Sequence, residues 1–209
     1  MTNRIYITGI LGGLGTELSN ILKKSYPVYG SSRETGNLID YSTLSKILFD
    51  VMNHDINIFI NNAAIYLNKP FENYSLFDID TLINTNLTSQ IKLIQLVYKY
   101  FQSKSNCKII NINSISCKNL GKNESLYAVS KSAMSILLNS LQLETKNIKF
   151  LDIYVGAMKT KMSKHRSNYD TLIDPVEVAL LIDSLLKTNL TTCFPTELVI
   201  RRYNESYSQ

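Results

Sequence analysis

Apolar runs of strand length alternate along this chain with longer stretches in which apolar residues recur every three or four positions, the pattern of a parallel sheet covered on both faces by helices. Arg4-Ile5-Tyr6-Ile7-Thr8 reads as the first strand, followed by a glycine-rich turn and a helix to about Lys24. Val28-Tyr29-Gly30 reads as a second strand and Asn37-Leu38-Ile39 as a third. A helix from about Thr43 to Asn53 puts Leu44, Ile47, Leu48 and Val51 at helical spacing, and Ile56-Asn57-Ile58-Phe59-Ile60 follows as the fourth strand. A helix around Ile91 to Phe101 leads into a fifth strand, Cys107 to Ile112, and the next helix runs from about Ser125 to about Thr145. Lys149 to Tyr154 makes a sixth strand. A helix beginning near Pro175, whose fixed φ suits a first turn, carries Val176, Ala179, Leu180 and Ile182 through Leu186 on its apolar side, and Glu197 to Arg201 is the last strand. With no internal repeat, low-complexity tract or linker, one doubly wound α/β domain over residues 1–209 accounts for every element.

Composition narrows the class. A chain of 209 residues with 44% apolar and 19% charged residues can bury a full core and is not of disordered composition. No apolar run approaches the roughly 18 residues that span a bilayer, and the first strand begins so early that a cleavable secretory signal has no room. A cytoplasmic protein is expected. Three cysteines, Cys107, Cys117 and Cys193, match no zinc or redox spacing, and two histidines, His54 and His165, leave little for a metal site. The formal charge of +5 favours anionic partners, but the lysines and arginines are scattered, with no basic stripe or aromatic platform for nucleic acid. A phosphorylated cofactor or an acidic small molecule suits this charge better.

The chemistry lies in two places. Thr8-Gly9-Ile10-Leu11-Gly12-Gly13-Leu14-Gly15 stands at the first strand-to-helix junction, where backbone N–H groups and a helix N-terminus can meet a pyrophosphate. No Gly-Lys-Ser/Thr follows, so it is not a triphosphate loop of the Walker type. Further on, Ser114 precedes Tyr127 and Lys131. Positions i and i+4 of a helix share a face, which sets Lys131 beside the phenol of Tyr127. A phenol next to a fixed cation can serve as acid and base near neutral pH. Taken singly, these side chains also suit a turn serine, a core aromatic and a solvated charge; the functional reading rests on the set.

In order and spacing, Thr8-Gly9 with Gly13-x-Gly15, Asn61-Asn62-Ala63-Ala64 after the fourth strand, Asn86 in Asn84-Thr85-Asn86-Leu87, Ser114, and Tyr127-x-x-x-Lys131 resemble the short-chain dehydrogenase/reductase family. The likeness runs from about Ile5 to Ile200. It implies a Rossmann-type fold, a nicotinamide cofactor held by Gly9, Gly13, Leu14 and Gly15, and pairing into homodimers or homotetramers. It also implies that Asp40 meets the adenine amino group, although a helix N-cap suits that residue as well. Asn62, Ala63 and Ala64 match a segment that packs on the cofactor and steadies the sheet. Thr160 matches a threonine that bonds the nicotinamide carboxamide, in a loop where Val155 stands in place of the family's proline.

The residues ending the second strand separate NADP from NAD, because they meet the adenosine ribose. Ser31-Ser32-Arg33 offers two hydroxyls and a guanidinium where an NAD enzyme carries a carboxylate, which favours NADP. The competing reading is a solvated Arg33 beside Glu34. For catalysis, hydride transfer to a carbonyl leaves an alkoxide that needs a proton. Tyr127 would donate it, with its pKa lowered from about 10 by Lys131, the oxidised nicotinamide and the helix N-terminus. Ser114 would hold the substrate oxygen. By the resemblance, Lys131 also binds the nicotinamide ribose and Asn86 anchors a relay water.

Few residues lie between Thr160 and Pro175, so the cleft is expected to be open or covered by a partner subunit. Lys161, Lys164, His165 and Arg166 could meet a substrate anion, or form an exposed, mobile basic loop. The reaction expected is reduction of a small carbonyl compound, or oxidation of its alcohol. The rival from another class is a catalytically silent dinucleotide sensor or scaffold, which need not keep a proton donor. A nucleotide-sugar epimerase would need a further substrate domain.

Overall fold

A computed structural model of the chain describes residues 2–164, 166–188, 190 and 192–203. Its centre is a six-stranded sheet, all parallel, in the order β2-β1-β3-β4-β5-β6. The strands are β1 (Ile5–Thr8), β2 (Val28–Ser31), β3 (Ile58–Asn61), β4 (Cys107–Ser114), β5 (Ile148–Val155) and β6 (Glu197–Ile200). β2 and β3 lie on opposite sides of β1, so the chain reverses its direction of winding there. The carboxyl ends of β1 and β3 therefore flank the crevice where open α/β sheets take ligands.

The helices are α1 (Gly13–Leu22), α2 (Tyr41–Asn53), α3 (Leu76–Ile83), α4 (Ser89–Phe101), α5 (Ser125–Glu144) and α6 (Pro175–Lys187). Strand residues alternate between two cores. Ile5, Ile7, Ile58, Ile60, Ile110, Leu151 and Ile153 face α1 and α6. Tyr6, Phe59, Ile109 and Phe150 face α2, α4 and α5. Toward the carboxyl ends the second face turns polar. Asn61 donates to Asn111 (2.8 Å), Asn111 to one oxygen of Asp152 (2.7 Å), and Asn113 to the other (2.8 Å). This buried row lies beneath the start of α5, where burial without such partners would cost a few kcal/mol per group.

Two elements depart from the expectation. Asn37-Leu38-Ile39 is a turn rather than a third strand: the Asn37 side chain accepts from Ile39 N–H at 3.2 Å and its carbonyl from Asp40 N–H at 3.0 Å, and α2 starts directly afterwards. The helix expected around Ile91 is the end of a longer run: α3 continues through a π-helical turn, Asn84–Thr88, into α4.

Candidate active site

The glycine turn is built by close approach. Gly9 has φ +67°, a region open to glycine without strain, and a Cβ there would lie 3.0 Å from the Ala63 Cα. A Cβ on Gly15 would lie 2.1 Å from the Gly9 carbonyl oxygen, so only glycine lets α1 start this tightly against β1. Gly12 is the N-cap and offers no side chain to the first-turn N–H groups, and no acidic residue stands in that turn. Bare amides at a helix N-terminus are the donor set that a pyrophosphate requires, so Gly9, Gly13, Leu14 and Gly15 fit a dinucleotide.

Thr8 fixes this turn to the next strand, a role the sequence did not single out. Its hydroxyl accepts from Asn62 N–H (2.9 Å) and Ala63 N–H (3.0 Å). The Asn62 amide donates back to the carbonyls of Thr8 (2.9 Å) and Gly9 (3.2 Å), and the Ala63 carbonyl accepts from Gln90 at 3.0 Å. Asn62 and Ala63 thereby steady the sheet opening, with Ala64 next to them. At the end of β2, Ser31 is buried, while Ser32 forms a local turn by accepting from Glu34 N–H at 3.2 Å. Arg33 is exposed, and among the described residues nothing pairs with its guanidinium. Asp40 occupies the N-cap position of α2, but its side chain makes no capping bond.

On the other side of the crevice, β4 ends at Ser114 and α5 carries Tyr127 and Lys131. The Lys131 ammonium donates to the Ile112 carbonyl at 2.8 Å and lies 6.0 Å from the centre of the Tyr127 ring. Burial drives the Lys131 pKa down to about 8, against the opposing pull of Cys117 and Asp152. Burial also pushes the Tyr127 phenol well above its ordinary value, countered by a hydrogen bond with the Ser114 hydroxyl and reinforced by Cys117, Glu124 and Tyr66. The proximity read from the spacing is present. In the chain without a dinucleotide, burial dominates the phenol, and the Lys131 ammonium is engaged by the Ile112 carbonyl.

Asn86 lies in the π-helical turn, a distortion that recurs at functional sites. Its amide accepts from Ile65 N–H and donates to Ile65 C=O, both at 2.8 Å. The side chain thus clamps the segment after β3.

Val155 completes β5, pairing with Ser114 and Ile200, as a proline could not. The loop after it is held by Ile173 instead, through Lys159 N–H to Ile173 C=O (2.8 Å) and Ile173 N–H to Ala157 C=O (3.0 Å). Thr160 is carried onto the glycine turn, where a Cβ on Gly13 would come within 2.4 Å of its methyl carbon. Among the described residues, the segment up to Pro175 contains two 3-10 turns, and Arg166 is half-buried in a salt bridge to Glu124 at 3.2 Å. Lys161 and Lys164 are exposed. His165 lies outside the described residues.

The α/β sheet thus sets a bare glycine turn at its switch point opposite a serine, a tyrosine and a lysine at the carboxyl ends of the strands. A family model described as short chain dehydrogenase matches residues 36–170, and the chain belongs to that family. It is similar to an uncharacterised oxidoreductase of Staphylococcus haemolyticus, 26% identical over 147 residues, covering 68% of this chain and 63% of that one. A ketoacyl reductase, HetN, of Nostoc is 28% identical over 164 residues, covering 67% of this chain and 57% of the relative. The chain therefore spans about three fifths of the length of these curated relatives. The crystal structure of a 3-ketoacyl-(acyl-carrier-protein) reductase from Brucella melitensis complexed with NADH shares the fold at a TM-score of 0.85 and 15% identity, over 95% of this chain and 96% of that one. Among the described residues no helix is long and apolar enough to cross a membrane.

Proposed function

We propose that this protein is an NADP-dependent oxidoreductase that reduces a small carbonyl compound, or oxidises the corresponding alcohol, in the cytoplasm, with Tyr127 as general acid and base. The observation that carries this reading is the convergence of Ser114, Tyr127 and Lys131 at the carboxyl ends of the strands, opposite a glycine turn suited to pyrophosphate. When bound, the dinucleotide would supply or accept the hydride, and its oxidised ring would add to the positive charge near Tyr127. Tyr127 gives its proton to the developing alkoxide, Ser114 holds that oxygen, and Lys131 turns its ammonium toward the ribose hydroxyls. Gly9, Gly13, Leu14, Gly15, Asn62, Ala63, Ala64 and Thr160 would hold the cofactor, with Asp40 toward its adenine.

The test is NADPH oxidation over a panel of aldehydes and ketones, with NADH alongside. Tyr127→Phe is expected to lower kcat by at least about a hundredfold while NADPH still binds, as read by fluorescence of the reduced cofactor. Unchanged turnover would remove Tyr127 from its role, and binding without any turnover in the native chain would favour the silent sensor. The free guanidinium of Arg33 supports the phosphorylated cofactor. Arg33→Ala is expected to weaken NADPH by about tenfold or more and NADH by less than about twofold; equal losses would return the assignment to NAD.

A further inference from the structure

Glu124 is a buried carboxylate beside the catalytic set that the reaction as described does not use. It precedes α5, entered through Asn123 at φ +64°, a left-handed conformation asparagine tolerates. Gly121 makes room for it: a Cβ there would stand 2.6 Å from Glu124 Oε2. Three segments converge on this carboxylate. Oε2 accepts from the Ser116 hydroxyl at 2.8 Å, and Oε1 accepts from the Tyr66 hydroxyl at 2.5 Å and from Arg166 at 3.2 Å. Arg166 and Asn68 also donate to the Tyr66 oxygen, at 3.2 and 2.9 Å, and the Tyr66 ring stands edge-on to that of Tyr127 with centres 4.9 Å apart.

The donors along this chain have a fixed sense. A carboxylate paired with a guanidinium only accepts, so Ser116 must donate to it. The Ser116 oxygen is then free to accept from the Ser114 hydroxyl, 3.1 Å away, and Ser116 N–H donates to the Ser114 oxygen at 3.1 Å. With its own proton directed to Ser116, the Ser114 oxygen keeps one lone pair that can accept from the neighbouring Tyr127 hydroxyl. The Ser114 oxygen is held in place, and it need turn only its hydrogen to meet a substrate oxygen.

We propose that Glu124 is a positioning residue with two arms: through Ser116 it fixes the Ser114 hydroxyl, and through Arg166 it latches residues 156–174 over the same site. The first arm rests on the oxidoreductase reading above; the second does not. An Arg166 held by Glu124 is also withdrawn from the anion-binding role its sequence position suggested, so a substrate charge, where there is one, would be met by Lys161 or Lys164.

The arms separate in the full-length protein. Glu124→Gln keeps a side chain of the same shape but loses the charge that holds Arg166. Trypsin cleavage after Lys161 and Lys164 is expected to speed up by about fivefold or more, since charge-assisted bonds are among the strong ones, and Arg166→Leu should do the same. Ser116→Ala leaves the latch in place and should cleave at the native rate. In NADPH turnover, Ser116→Ala is expected to lower kcat by about tenfold with KM within about twofold, the signature of a contact that matters in the transition state. Glu124→Gln and Arg166→Leu should raise KM. Native-rate cleavage in both Glu124→Gln and Arg166→Leu overturns the latch, and native kcat in Ser116→Ala overturns the serine arm. Where the native chain shows no turnover, the oxidoreductase reading and the serine arm fail together, and the cleavage arm still decides the latch. If Glu124→Gln does not fold, Arg166→Leu and Ser116→Ala carry both tests.

Discussion

Lys131 keeps an ammonium inside the fold at 6% exposure, with the neutral Ile112 carbonyl as its hydrogen-bond acceptor at 2.8 Å. Burial lowers its pKa from 10.5 to about 8, with Cys117 and Asp152 pulling the other way. The sign of the consequence follows from proton counting. Between pH 8 and 10.5 the unfolded chain binds the proton that the folded chain has released, so this residue's contribution to stability rises with pH across that window. Below pH 8 the buried charge opposes folding in full, by about 3 kcal/mol, and above about pH 10.5 that opposition is gone. Urea unfolding of the native protein and of Lys131→Met, compared at pH 7 and pH 10.5, is expected to show the difference in unfolding free energy moving by about 3 kcal/mol in favour of the native chain. A difference that does not change with pH would mean that the ammonium is in contact with water. Position on a helix face is legible in a sequence, which is why the spacing sets Lys131 beside Tyr127, whereas the depth to which the pair is buried is set by the strands beneath it.

At the scale of elements, the strands and helices that bury an apolar face were legible, and those that do not were missed or misread. β1, β3, β4 and β5 appear within about two residues of where the apolar runs place them. α3 opens on two outward-facing apolar residues, Leu76 at 81% and Phe77 at 77% exposure, and buries only Leu82 fully, which blurs its apolar face in the sequence. Its start is also marked by a capping box, in which Ser75 accepts from Asp78 N–H at 3.1 Å while the Asp78 carboxylate accepts from Ser75 N–H at 2.9 Å. Asn37-Leu38-Ile39 was misread for the opposite reason, since two apolar residues sufficed to suggest a strand where an asparagine turn had the stronger local signal. The cap has a functional consequence, because α3 runs into the π-helical turn that carries Asn86. Removing it with Ser75→Ala is expected to lower the melting temperature by about 3 °C. Hydrogen exchange should quicken in residues 76–88 ahead of the rest of the chain. Uniform exchange across the helices would mean that Ser75 does not start this element.

Among the described residues, several large apolar side chains lie outside both cores, and those on α5 form a regular pattern. Val129, Ile136 and Leu143 recur every seventh residue along α5, and they are 56%, 68% and 90% exposed. Seven residues are close to two helical turns, so the three form a stripe on one face, the spacing by which helices pack against one another. Ile91 on α4 is also exposed, at 39%. A face of this kind fits the pairing that the family resemblance implies, and we propose that two copies of the chain meet through α4 and α5. The opposite face of α5 presses Ala128, Lys131 and Met134 onto the sheet, so a partner helix on the stripe would clamp the element that carries Tyr127 from both sides. Ile136→Glu places a charge in the middle of the stripe, where it is harmless in water and costly in an apolar contact. Sedimentation is expected to show a dimer or a multiple of dimers for the native chain and a monomer for the variant, with kcat reduced as α5 loses its outer support. A native chain that sediments as a monomer would leave the stripe unpartnered and assign the rigidity of Tyr127 to the sheet alone.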